Sequence, residues 1–269
     1  MSTPTPNPRT AEETVSQVRE RYARIATGGG MPSCCDAGPL GYDPGELALV
    51  PKEADLGLGC GAPIGRLALL PGETVLDLGS GPGLDALLAA RHVGPTGRVI
   101  GIDMTPAMIE RARAVAAEAG VAWAEFREGR LEALPVADAS IDAVTSNCVI
   151  NLVPDKTAVF REIARVLRPG GRIVVSDIIL DGALPPLVAD DILAWAGCIA
   201  GAAPRADYMA MIASAGLTEP RIHQDIDYLA KLEGAMPAPV IERMRAAGIS
   251  LESLRGLVRS ITWEARRPR

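Results

Sequence analysis

Asp77 lies two residues before a turn that reads Gly79-Ser80-Gly81-Pro82-Gly83, and Asp103 closes the next apolar run, with Met104 beside it. Glycines at a strand-to-helix junction let the backbone approach a ligand closely and present amides at a helix N-terminus. A dinucleotide fingerprint reads G-x-G-x-x-G, whereas the spacing here is G-x-G-x-G with Pro82 inside it. A pyrophosphate would not welcome the Asp77 carboxylate within the strand, but an ammonium group would. Asp103, at a strand end, is placed to accept from two ribose hydroxyls, and Met104 to lie against a flat base. Ammonium, ribose and adenine together describe S-adenosylmethionine better than a nicotinamide cofactor.

Five cysteines are the second feature with chemical potential: the vicinal pair Cys34 and Cys35, then Cys60, Cys148 and Cys198. Cys148 sits in SNCVINL, where an apolar run ends, and taken locally it reads as a buried structural thiol. The same holds for Cys198 in WAGCIAGA, and the Cys34-Cys35 pair reads equally as incidental or chemical. No C-x-x-C pair or nearby histidine suggests structural zinc. His92 and His223, the two histidines, read as surface or helix-end residues. The start, MSTPTPNPRT, has no apolar core of a secretory signal, and an odd cysteine count then points to reduced thiols in the cytoplasm. No stretch approaches the ~20 apolar residues of a membrane span. The net charge of −6 and the lack of a basic run give no nucleic-acid footprint. The expectation is therefore neither a nucleic-acid nor a membrane partner.

These residues need a frame, and the patterning supplies one. At 269 residues and 48% hydrophobic composition the chain can bury a sizeable core, and 3% aromatics make that core aliphatic. After a tail at 1–10, AEETVSQVRERYARIA (11–26) has helical spacing, and two glycine-rich stretches follow with Cys34, Cys35 and Cys60. Short apolar runs then alternate with helical segments. Strands are expected at 74–79, 98–103, AEFREG, 141–150 and 172–180, and helices at 83–93, 105–120 and 155–171, the last ending in Pro-Gly-Gly. This order implies a doubly wound α/β sheet with right-handed crossovers. Beyond Leu180 a loop and helix carry Cys198, a helix follows at 206–217, then a strand around PRIHQDIDYL, a helical and loop-like stretch, and a last strand at VRSITWEARR.

LGLGCGAPIG, VLDLGSGPGLDALLAA, VIGIDMTPAMIERAR, SNCVINLVPDK, RVLRPGGRIVVSDI and WAGCIAGA, in that order, resemble the bacterial arsenite methyltransferases over roughly residues 20 to 269. The resemblance implies a class I methyltransferase, Rossmann-like, with a seven-stranded sheet of order 3-2-1-4-5-7-6 and strand 7 antiparallel. It divides the chain into an N-terminal Cys/Gly-rich segment at 11–65 and a donor-binding core at 66–269. Within the core fall a substrate-side insertion at 181–205 and a helical insertion at 229–257. It places the arsenic-binding thiols at Cys60, Cys148 and Cys198, with a redox partner in the Cys34-Cys35 pair. Asn147 is expected beside the donor. Arg130 stands where many methyltransferases place an acid, and an arginine cannot accept from the adenine amine. That contact then falls to Glu132, the backbone near Leu131, or water.

Trivalent arsenic is thiophilic, and three thiolates would hold it as a pyramid with its lone pair open. That lone pair is the nucleophile, so no general base is required. The implied function is S-adenosylmethionine-dependent methylation of arsenite or its thiol conjugates to mono- and dimethylated products, a detoxification, with a reductant of the thioredoxin or glutathione type and no tightly bound metal cofactor. A methyltransferase for O, N or C of an organic metabolite, a non-catalytic arsenic-binding protein, and an enzyme for another thiophilic element such as antimony, selenium or mercury are the alternatives.

Overall fold

Five apolar runs pair in parallel: β1 Thr74–Leu78, β2 Arg98–Asp103, β3 Ala124–Glu128, β4 Ile141–Asn147 and β5 Leu167–Leu180. The computed structural model describes residues 10–28, 40–185, 199, 201–231, 241–242, 245–246, 248–250 and 252–269. A two-residue strand, β6 Ala203–Pro204, adds to the end of β5. β7 Arg221–Asp227 and β8 Val258–Arg266 complete the sheet, with β8 antiparallel to both β5 and β7. The order is β3-β2-β1-β4-β5-β8-β7. With β6 set aside, this is the arrangement expected from the sequence. The strand order reverses between β1 and β4, and ligands of open α/β sheets bind beyond the strand ends there.

α1 Ala11–Ala26 opens with a capping box: Thr10 Oγ1 accepts from Glu13 N at 3.2 Å, and Glu13 Oε2 accepts from Thr10 N at 2.8 Å. It packs on α4 Pro106–Glu118, whose Arg111 donates to Ala26 O at 3.1 Å. A single turn, α2 Pro44–Leu47, follows. α3 Leu84–Val93 buries nearly its whole apolar length against β1 and β2. On the other face lie α5 Lys156–Val166 and α6 Arg205–Ser214. There Phe160, Tyr208 and Trp263 form a triangle with centroids 5.3–6.1 Å apart, a compact use of scarce aromatics. One more helical turn, α7 Tyr228–Lys231, follows β7.

Two boundaries depart from the sequence reading. The Leu167-Arg168-Pro169-Gly170-Gly171 stretch is not a helix ending but the start of β5. Pro169 disfavours a helical residue before it. The backbone of the stretch finds partners in the C-terminal segment instead: Gly170 N donates to Arg267 O, and Arg267 N to Gly171 O, each at 2.9 Å. The fourth strand stops at Asn147 rather than 150, because Cys148 turns into a left-handed backbone with φ +59° and Ile150–Leu152 form a 3-10 turn. Among the described residues no helix is long and apolar enough to cross a membrane.

Candidate active site

A cleft opens beyond the carboxyl ends of β1, β2 and β4, lined by Asp77, Asp103 and Cys148. Its floor is the β1–α3 turn. Gly79, Gly81 and Gly83 take φ of +65°, +51° and +98°, left-handed values that glycine adopts at least cost. A Cβ on Gly79 would fall 2.3 Å from Val149 Cγ2, so this turn packs directly on the residue after Cys148. A Cβ on Gly81 would meet nothing within 4 Å.

Asp103 accepts from Gly81 N at 3.0 Å and from Thr105 N at 2.8 Å. Thr105, at the head of α4, makes no side-chain cap of its own, so Asp103 steadies that turn. Asp77 is 2% exposed and its Oδ2 has no partner, as does Ser80 Oγ. Burial, with Asp85 and then Asp103 as like-charged neighbours, holds the Asp77 carboxyl well above the usual carboxylate range. A buried carboxylate oxygen left without a partner in a cleft fits a ligand ammonium group. Met104, Leu131 and Glu132 line the cleft too. So does Arg130, the sole basic side chain among its described lining residues, which pairs with Glu132 at 2.7 Å and Glu12 of α1 at 3.2 Å. Its guanidinium therefore ties the cleft rim to α1, and Val15, Val18 and Tyr22 of α1 form one wall.

The thiols are approached from the other end. Cys60 is 1% exposed in the loop before β1. Its N–H donates to Asn147 Oδ1 at 3.0 Å, and its carbonyl accepts from Ser260 Oγ at 2.9 Å. The flanking glycines make this seat possible. A Cβ on Gly59 would lie 2.8 Å from Asn147 Nδ2, and one on Gly61 would lie 2.6 Å from Ser176 Oγ. Cys148, 4% exposed, donates its N–H to Ser176 O at 2.8 Å. Both cysteines are thus fastened to the carboxyl ends of β4 and β5, and they share an apolar cluster with Leu152, Ile178 and Val258. Cys148 lines the cleft and Cys60 lies behind Asn147. Ile199 packs against the same cluster. Cys34, Cys35 and Cys198 lie outside the described residues. His92 pairs with Glu46 at 3.0 Å and His223 with Glu264 at 3.1 Å, each away from the cleft lining.

Two groups in the site carry no local sequence signal. Tyr42 directs its hydroxyl at both oxygens of Asp85, 3.0 Å from each, and accepts from Asn147 Nδ2 at 2.8 Å. Burial raises Asp85 to about 6, held down by the hydrogen bonds from Tyr42 and Asn147. Behind Cys148, Asn151 Nδ2 donates to Asp177 Oδ1 at 2.7 Å and Ile178 O at 2.5 Å, while Tyr208 donates to Asp177 Oδ2 at 3.0 Å. Polar residues in otherwise apolar strands (Ser176 and Asp177, Ser260 and Thr262) were the available sign of this second layer.

Comparison with known proteins agrees with this geometry. A family model described as a methyltransferase domain matches residues 69–216. An arsenite methyltransferase of Halobacterium salinarum is 48% identical over 227 residues, 77% of this chain and 58% of that protein. One from Aquipseudomonas alcaligenes is 39% identical over 150 residues, 53% of this chain and 43% of that one. The chain thus spans about half the length of these curated relatives. The crystal structure of an arsenic(III) S-adenosylmethionine methyltransferase from Chlamydomonas reinhardtii superposes with a TM-score of 0.62 at 30% identity, covering 98% of this chain and 75% of that one. On these grounds the chain belongs to the methyltransferase-domain family.

Proposed function

We propose that the chain transfers a methyl group from S-adenosylmethionine to thiol-bound arsenic(III). The observation that carries this reading is the seating of Cys60 and Cys148 on the ends of β4 and β5, beside a cleft with a buried carboxylate oxygen left without a partner. The donor supplies an electrophilic methyl carbon on a sulfonium sulfur. Asp77 holds its ammonium group, Asp103 its ribose hydroxyls, and Met104 with the backbone near Leu131 its base. Gly79, Ser80, Gly81 and Gly83 shape the turn beneath it, Arg130 closes the rim, and Asn147 separates donor from thiols.

Cys60, Cys148 and Cys198 bind arsenic as thiolates and leave its lone pair facing the methyl carbon. The lone pair forms the arsenic–carbon bond as the carbon–sulfur bond breaks, so the donor leaves as a neutral thioether. Arsenic passes formally from trivalent to pentavalent. Two thiols of the chain, with Cys34 or Cys35 as one of them, then give up two electrons as they form a disulfide and return arsenic to the trivalent state. A reductant of the thioredoxin or glutathione type restores the thiols. Alignment of lone pair, carbon and sulfur supplies much of the rate, and no general base is needed. Residues 11–65 serve as the arsenic-side segment of the donor-binding core at 66–269.

The test is purified protein with arsenite, S-adenosylmethionine and a thiol reductant, followed by arsenic speciation. Methylated arsenic is expected from the parent chain and its loss from Cys60→Ser, Cys148→Ser and Cys198→Ser. Absence of any methylated arsenic from the parent ends the reading.

A further inference from the structure

We propose that Asp85 is the residue by which the chain distinguishes the positively charged sulfonium donor from its neutral thioether product. This rests on the donor named above and goes beyond it by assigning the discrimination to one side chain.

Asp85 is the second residue of α3, 7% exposed, and lines the cleft. Its oxygens face a tyrosine hydroxyl at 3.0 Å and the Asn147 amide at 3.3 Å, neither of which carries charge. The one basic side chain among the described cleft residues, Arg130, is engaged by Glu132 and Glu12. Asp55, Asp77, Asp85, Asp103 and Glu132 all line the cleft, Glu132 pairs with Arg130, and Asp77 Oδ2 is buried there with no partner.

Their order along the cleft assigns the parts. Asp77 has Asp85 and Asp103 as its charged neighbours. Asp103 holds the turn that begins α4, the ribose side. Asp85 touches Asn147, which in turn holds the Cys60 amide, the thiol side. A donor that reaches from Asp103 to the thiols must pass its sulfonium through the interval that Asp77 and Asp85 border. The donor carries two positive groups there. Asp77 takes the ammonium, and Asp85, its charged neighbour on the thiol side, faces the sulfonium. Methyl transfer turns the sulfonium into a thioether and removes one positive charge. Asp85 then faces a neutral sulfur, so the same carboxylate that favours the donor favours release of the product.

The experiment is isothermal titration of the full chain with S-adenosylmethionine and, separately, with S-adenosylhomocysteine. In Asp85→Asn, the donor is expected to lose about tenfold or more in affinity, the scale of one partly screened charge interaction. The homocysteine form should stay within about threefold of its parent value. Tyr42→Phe removes the hydroxyl but leaves the charge, and should leave the ratio of the two affinities within about threefold. Asp85→Glu keeps the charge and should keep the preference, which gives a reading even where Asp85→Asn does not fold. Equal weakening of both ligands in Asp85→Asn, a Tyr42→Phe shift as large, or loss of preference in Asp85→Glu overturns the proposal. A parent chain that binds neither ligand would instead remove the donor reading itself.

Discussion

Asn147→Ala tests how the thiol loop is held. The carboxamide accepts from Cys60 N at 3.0 Å, and donates to Gly61 O at 2.7 Å and Tyr42 Oη at 2.8 Å. Truncation leaves the Cys60 amide and the Gly61 carbonyl without these partners, in a seat where Cys60 is 1% exposed. Each buried group left unsatisfied costs about 1–3 kcal/mol, and Asn147 is itself only partly buried, so water recovers some of the loss. The expected total is about 3 kcal/mol, or a fall in Tm of roughly 10 °C for a chain of this length. Urea unfolding followed by circular dichroism measures the first quantity. The second readout is local: mass spectrometry of Cys60 after a timed exposure to a thiol reagent should show faster modification in the variant. If Asn147→Ala unfolds within about 0.5 kcal/mol of the parent and Cys60 reacts at an unchanged rate, the carboxamide does not hold the loop.

Gly79→Ala and Gly81→Ala separate packing from backbone strain. Both residues are left-handed, but only the Gly79 Cβ collides, 2.3 Å from Val149, so Gly79→Ala should cost several kcal/mol and Gly81→Ala about 1–2 kcal/mol in urea melts. Asp177 is raised by burial to about 7 from 3.8, so the folded chain keeps a proton that the unfolded chain has released. Stability then falls as pH rises between those values, and Asp177→Asn should flatten that fall; parallel urea midpoints for both proteins at pH 5 and pH 8 would refute the assignment. Arg130→Ala removes two partly exposed ion pairs, worth less than about 1 kcal/mol together, yet hydrogen exchange at the start of α1 should quicken as Glu12 is released.

Local pattern sufficed where a residue's role depends on its neighbours in sequence. RVIGID is β2 from end to end, and the period of AEETVSQVRERYARIA marks α1. The Gly79–Gly83 turn and the places of Asp77 and Asp103 on β1 and β2 were legible because strand, turn and helix are contiguous. The Pro-Gly-Gly stretch misled because its hydrogen-bond partner, Arg267, comes from the far end of the chain. Tyr42, Asp85 and Asn147 form one buried unit, yet 43 and 62 positions separate successive members. No spacing rule reaches that far. Asn147 was expected beside the donor; its hold on the Cys60 loop appears only in three dimensions.

The backbone at Cys148 carries a consequence for how this chain can change. A left-handed residue with a Cβ is disfavoured by roughly 1–2 kcal/mol, a penalty glycine escapes. The backbone alone would therefore favour glycine at this position, against the packing of the buried thiol in its apolar cluster. On the arsenic-binding role proposed for Cys148, function and backbone strain pull in opposite directions at a single φ angle. On that proposal, a lineage released from arsenic exposure should lose this cysteine early, and an engineered thermostable variant should be checked here first.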